Sequence, residues 1–216
     1  MSHTTPRTHQ SDTFTQMAHT ISTGLETLDA LLDQATPIIR ILGLDLSNRW
    51  VGKKKPGDPR NGPWFASAHE VLDAKAWAAR AACLYFLTDG RGQLRYVGES
   101  KNRLADRWRM PPAECATTGR DLGNPFVFHN RAWSPMEAEL RNQGSSAGPF
   151  QVSVLQGATL VAAVEHLPEL RHLIPQINEG SHLAKLVQDW LCCNSRLHQS
   201  LWNVAGTGRG RKGLLQ

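Results

Sequence analysis

A chain of 216 residues that is 40 % hydrophobic can bury one real core with decorations. No apolar run approaches the roughly 18–20 residues that a membrane-spanning helix needs. The Ser/Thr/His-rich start, Met1 to Gln16, has no apolar signal segment, so a cytoplasmic protein without a membrane partner is expected. The formal net charge of +5 and the pI near 9.3 come from clustered cations. The clusters are Lys53 to Lys55 with Arg60, a run from Arg91 to Arg109, and Arg209, Arg211 and Lys212. They suit a polyanion, through phosphate neutralisation and counterion release. None of the cysteines, Cys83, Cys115, Cys192 and Cys193, stands in a CxxC pair. Free thiols are therefore expected, and no structural zinc.

In chain order, residues 1–20 read as a flexible arm. Thr23 and Glu26 form a capping-box pattern ahead of Leu25, Leu28, Leu31 and Leu32, which predicts a helix at about 24–34. Ile38 to Leu46 reads equally as strand or helix. Asn48 to Pro63 is rich in Gly, Pro and Lys and reads as a long basic loop, either a solvated linker or a contact for a polyanion. Ser67 and Glu70 form a second capping-box pattern, predicting an Ala-rich helix to about Arg80.

A hairpin follows: an apolar strand from Ala82 to Leu87, a turn over Thr88 to Gly92, and a return strand from Gln93 to Val97. Asn102 to Arg109 looks helical. Residues 111–148 read as an insertion, opened by Pro111 and Pro112 and holding a short helix that starts near Ser134, and are expected to carry substrate contacts. Phe150 to Leu155 alternates like a third strand. Thr159 to Glu165 and Glu169 to Leu173 read as short helices around Pro168, and Leu183 to Cys192 as a helix with one apolar side. A Gly/Arg-rich tail covers 206–216. This divides the chain into an arm (1–20), a helical and basic-loop region (21–80), a core with its insertion (81–205) and the tail.

The only two tyrosines of the chain, Tyr85 and Tyr96, face each other across the predicted hairpin, in Cys83-Leu84-Tyr85 and Tyr96-Val97-Gly98. With Ser100, Asn102, Arg107, Gln188 and the Leu201-Trp202-Asn203 ending, they resemble the GIY-YIG nuclease family over roughly 82–110 and 184–205. The resemblance implies an α+β fold, with a small three-stranded, mainly antiparallel sheet flanked by helices. The N-terminal helical region and the long insertion would wrap this core. It also implies a metal-dependent DNA endonuclease, most simply a site-specific, restriction-type enzyme that uses Mg²⁺ or Mn²⁺ on double-stranded DNA. A palindromic site would call for a homodimer or sequential nicking.

Residue by residue, the resemblance makes Tyr85 the general base or the group that positions the attacking water. It puts Tyr96 on a phosphate or water, Arg107 on phosphate oxygens, and Asn203 in a bracing role. Gly98, Ser100, Lys101, Asn102 and Arg103 would lie against nucleic acid. Lys53, Lys54 and Lys55, together with Arg209 and Arg211, are the basic contacts expected outside the motif.

The chain departs from the family pattern at four places. Cys83 stands where glycine is usual. The interval from Tyr96 to Arg107 is one residue longer than the family pattern, which leaves Arg103 as the other candidate for the phosphate arginine. Pro111 stands where many relatives carry histidine or tyrosine, opening that role to another residue such as His129. Gln188 occupies the slot of the metal-binding glutamate, and a neutral amide lacks the carboxylate charge that anchors Mg²⁺. It reads as an engineered Glu-to-Gln change, as the mark of a catalytically silent DNA-binding module, or as a sign that Glu165 or Glu169 holds the metal. A structure-selective repair or mobile-element nuclease is the other enzymatic reading. Against all of these stands the view that both tyrosines are ordinary cross-strand packing residues.

Overall fold

The computed structural model describes residues 25–143, 148–177, 182–193 and 201–203. The fold is α+β: one antiparallel sheet flanked by helices. Among the described residues the sheet has seven strands rather than the three expected, in the order β4-β3-β7-β1-β5-β6, with β2 also paired to β1. The strands are β1 (Thr36–Gly52), β2 (Trp64–Val71), β3 (Cys83–Thr88), β4 (Leu94–Ser100), β5 (Ala113–Cys115), β6 (Asp121–Leu122) and β7 (Phe150–Gln156). The trio β4-β3-β7, with β3 in the middle, forms one end of the sheet.

Strand β3 is buried along its whole length, and its alternation separates two cores. Leu84 and Phe86 point to the face covered by α1 (Glu26–Asp33), α5 (Gly157–His166), α6 (Pro168–Arg171) and α7 (Leu183–Cys193). Cys83, Tyr85 and Leu87 point to the other face. That face is closed by the short helices α2 (Ala74–Ala78) and α3 (Leu104–Arg107), by α4 (Trp133–Gln143), and by the chain leading into α4.

The turn between β3 and β4 is organised by Asp89, whose Oδ1 accepts from the backbone N–H groups of Arg91 and Gln93, both at 2.9 Å. Its other oxygen accepts from Arg95 Nε at 2.9 Å. Gly92 sits at φ +76°, a conformation that favours glycine.

The predicted helix from Ser67 to Arg80 is replaced by β2 and a helix of only five residues. Glu70, which a capping box would turn back on the chain, instead reaches across the strand pair to its register partner Arg40, at 2.8 Å. The helix starts later, where the Asp73 side chain accepts from Ala76 N–H at 2.8 Å. The stretch read as a basic loop from Asn48 also differs, because β1 continues through Gly52. Trp50, fully buried, anchors that end edge-on against Phe128 and pairs with Cys115 of β5. Region 21–80 thus supplies the longest strand of the sheet as well as helix, and the helix predicted over 102–109 shortens to α3. Among the described residues, no helix is long and apolar enough to cross a membrane.

Candidate functional site

Register brings the tyrosines together. Tyr85 pairs with Gly98 and Leu87 with Tyr96, so both phenol rings rise from the same face on adjacent strands. Their centroids lie 6.2 Å apart with planes at 22°. The Tyr85 ring folds over Gly98, where a Cβ would overlap both the ring and its hydroxyl. The space that glycine leaves open is therefore filled by the chain's own phenol.

Helix α3 presents Arg107, whose Nε donates to Tyr85 Oη at 3.2 Å. Arg103, the other candidate, is engaged by Asp106 at 3.0 Å. From the insertion comes His129, whose Nε2 lies 2.7 Å from Tyr85 Oη. Its Nδ1 accepts from the backbone N–H groups of Ala132 at 3.0 Å and Arg131 at 3.3 Å. Nδ1 therefore carries no proton, and in a neutral ring the proton must sit on Nε2, which donates to the phenol. Burial, reinforced by the charges of Arg107 and Arg131, holds the His129 pKa well below its ordinary value, so the ring is neutral. The aromatic shell is completed by Trp108, 4.9 Å from the His129 ring and 6.2 Å from Tyr85.

These contacts fix the state of the Tyr85 hydroxyl. Both of its acceptor positions are taken, by His129 and Arg107, and its own proton is the group still to be placed. Burial raises the phenol pKa well above its ordinary value despite the nearby guanidinium, and burial raises Tyr96 in the same direction. Tyr85 and His129 are 0 % exposed and Tyr96 1 %, so the cluster meets solvent mainly through the half-buried Arg107. Arg107 opens on a cleft of about 600 Å³ between the loop after β1, the segment after α3 and the insertion. Lys54, Arg60 and Arg109 also line that cleft.

The other residues singled out in the sequence fall elsewhere. Ser100 is buried at the end of β4, where its Oγ accepts from Asn102 N–H at 3.3 Å. Lys101 and Asn102 are exposed. Lys53 is engaged by Asp121 and Glu114 of the insertion, whereas Lys54 lines the cleft and Lys55 is exposed. Arg209 and Arg211 lie outside the described residues.

Gln188 and Asn203 meet at the sheet edge. Gln188 Nε2 donates to the carbonyl of Val97 at 3.1 Å, and Asn203 Nδ2 donates to the same oxygen at 2.6 Å. Asn203 Oδ1 accepts the Val97 N–H at 2.9 Å. With Trp202 N–H on the Arg95 carbonyl at 2.7 Å, this short segment covers the outer edge of β4.

Position 188 does not fit a hard divalent cation. It offers a neutral amide whose nitrogen is already committed to a backbone carbonyl, on a helix packed against the face opposite the phenols. Glu165 and Glu169 are exposed on α5 and α6, on that same opposite face.

Sequence reasoning named His129 only as one way to fill a vacant role and Arg109 only as the end of a basic run, and it missed Asn124. The Asn124 amide oxygen, turned toward Arg109, accepts from its Nε at 3.2 Å and Nη2 at 2.8 Å. Compared with family models, with curated proteins and with solved structures, the chain matches none.

Proposed function

We propose that the chain binds double-stranded DNA through a GIY-YIG-type nuclease site in which Arg107, held by Tyr85 beside Tyr96, engages a backbone phosphate. The observation that carries this reading is the committed Tyr85 hydroxyl: it receives His129 and Arg107, its ring stacks beside Tyr96, and it lies behind Arg107, which lines a basic cleft. In this reading Arg107 donates its remaining N–H groups to phosphate oxygens, as the guanidinium fork favours. Tyr85, shielded from solvent, holds that guanidinium from behind by accepting from its Nε and does not reach the phosphate itself. It does so as a neutral phenol, because burial opposes ionisation. His129, with its acceptor nitrogen filled, holds the phenol in place and takes no proton itself.

The Mg²⁺ or Mn²⁺ that the resemblance implies finds no carboxylate at Gln188. The residues named therefore account for binding and orientation and leave the cutting step unprovided. That favours a second reading, a DNA-binding module without cleavage, because the bond from Gln188 Nε2 to the Val97 carbonyl is one a carboxylate cannot make. A restriction-type role in the cytoplasm, with a second copy cutting the other strand, is the enzymatic form of the proposal.

The test is a Mg²⁺ or Mn²⁺ cleavage assay on plasmid DNA with the parent chain, with Gln188→Glu, and with Gln188→Glu/Tyr85→Phe, run beside a salt-dependent binding titration. Cleavage by the single variant that is lost in the double variant supports a nuclease lacking its metal ligand. Tight, salt-sensitive binding with no cleavage by any of the three supports the binding module. Absence of salt-sensitive DNA binding in the parent sinks both readings.

A further inference from the structure

The cleft beside Arg107 was not assigned by any motif, and its chemistry can be read from its walls. Of the cations that line it, Arg60 is neutralised by Asp58, which accepts from Arg60 Nε at 2.8 Å and Nη2 at 2.5 Å. The lining carboxylate, Asp106, is taken by Arg103. Among the described residues, Lys54, Arg107 and Arg109 have no carboxylate at ion-pair distance, so the cleft keeps an excess of positive charge.

Arg109 is held in place rather than waving in solvent. Its backbone pairs with Val127 in an isolated bridge, and Asn124 grips its guanidinium while leaving nitrogen donors free. The same cleft has an apolar side, which serves as its floor, lined by the buried Met110 and Phe128 and by Leu122. A volume of about 600 Å³ falls in the roughly 300–1,000 Å³ range of ligand clefts.

We propose that this cleft holds the nucleotide next to the phosphate at Arg107. Lys54 and Arg109 take that nucleotide's own phosphate, and the apolar floor lies under its sugar and base. The inference rests on the reading of the phenol site as a DNA backbone site. A free inorganic anion would use the cations but gain nothing from the floor. A strand of DNA uses both, and Arg107, at the junction of the two sites, sets where the strand enters. The neighbouring lysine makes a useful contrast, because Lys53 spends its charge on Asp121 and Glu114.

The experiment is fluorescence anisotropy with a fluorescein-labelled 20-base-pair duplex of mixed sequence, across a series of salt concentrations. It compares the parent chain, Lys54→Ala/Arg109→Ala, and Arg171→Ala, whose exposed arginine lies on a helix packed against the opposite face. Excess inorganic phosphate serves as competitor in a separate arm. The proposal expects the double variant to bind at least about tenfold more weakly at low salt. Its slope of log K against log salt should be shallower by about 2, one for each lost phosphate contact, with Arg171→Ala unchanged. Circular dichroism and thermal melting confirm that the exposed substitutions leave the fold intact. A double variant that binds like the parent overturns the subsite and leaves the phenol-site reading standing. Equal displacement of both proteins by inorganic phosphate also overturns it, since a floor-bound nucleotide would outlast a simple anion. A parent chain with no salt-sensitive affinity removes the subsite and the underlying reading together.

Discussion

Removing one oxygen from Tyr85 tests the central geometry. In Tyr85→Phe the ring keeps its place over Gly98, so no cavity opens and the packing term is close to zero. What is lost is an acceptor for two donors, His129 Nε2 at 2.7 Å and Arg107 Nε at 3.2 Å. The two losses are unequal. His129 is fully buried and fixed at Nδ1 by two backbone N–H groups, so its Nε2–H cannot turn to water. A stranded buried donor costs about 1–3 kcal/mol. Arg107 is only half-buried and adjoins the cleft, so its freed Nε–H finds solvent and adds little.

The expected destabilisation is about 2 kcal/mol, which lowers the melting temperature by roughly 4–8 °C for a chain of this size. Urea unfolding should show a lower midpoint with an unchanged slope. Paired with His129→Ala in a double-mutant cycle, the two sites should couple by about 1 kcal/mol or more. A Tyr85→Phe chain within about 0.5 kcal/mol of the parent would mean that His129 does not donate to the phenol. The tautomer argument would then collapse with it.

Three further outcomes follow from the same geometry. Gly98→Ala should cost at least about 2 kcal/mol, because the added methyl meets the Tyr85 ring, and most of that cost should vanish in a Tyr85→Ala background. Stability should fall as pH drops below about 6.5, by up to about 1.4 kcal/mol per pH unit from His129, since the unfolded chain takes up a proton that the folded chain refuses. Urea titrations at stepped pH should show that slope flattened in His129→Gln, and an unchanged slope would refute the assignment. Asn203→Ala should cost about 1–2 kcal/mol and speed hydrogen exchange at the Val97 amide, because both of its bonds to Val97 go at once.

What the sequence revealed follows the range over which each signal acts. The hairpin β3–β4 and the strand β7 were legible because the apolar run from Ala82 to Leu87, the turn around Asp89 and Gly90, and the alternation from Phe150 to Leu155 are all local. The helix α7 was legible from its one apolar side. Ser67 to Glu70 misled because a capping box is also a local pattern, and its competitor, the pairing of Glu70 with Arg40, lies thirty residues away in the chain. The insertion hid β5 because three residues show no period, and their pairing with Trp50 to Gly52 is set by register. Motif spacing found Tyr85, Tyr96 and Arg107 as a group. It could not find the bond between Tyr85 and His129, which joins positions 44 apart through a backbone trap on Nδ1.

The residues at positions 188 and 203 carry a different lesson. Motif reading treats them as two functional groups, a metal ligand and a brace, yet both side chains end on one carbonyl, that of Val97. An edge strand exposes unpaired N–H and C=O groups, and here an asparagine, a glutamine and the Trp202 backbone close them. A carboxylate at 188 could not donate to that carbonyl, so the amide is consistent with its surroundings in a way a trapped substitute would not need to be. The phenol site shows the same character. It contains a neutral imidazole with its acceptor filled and a single guanidinium, both donating to a phenol kept protonated by burial. The guanidinium's remaining N–H groups, facing the cleft, suit an anionic oxygen. The site holds no group placed to take a proton from water at neutral pH, which is why the proposed reading puts binding ahead of cutting.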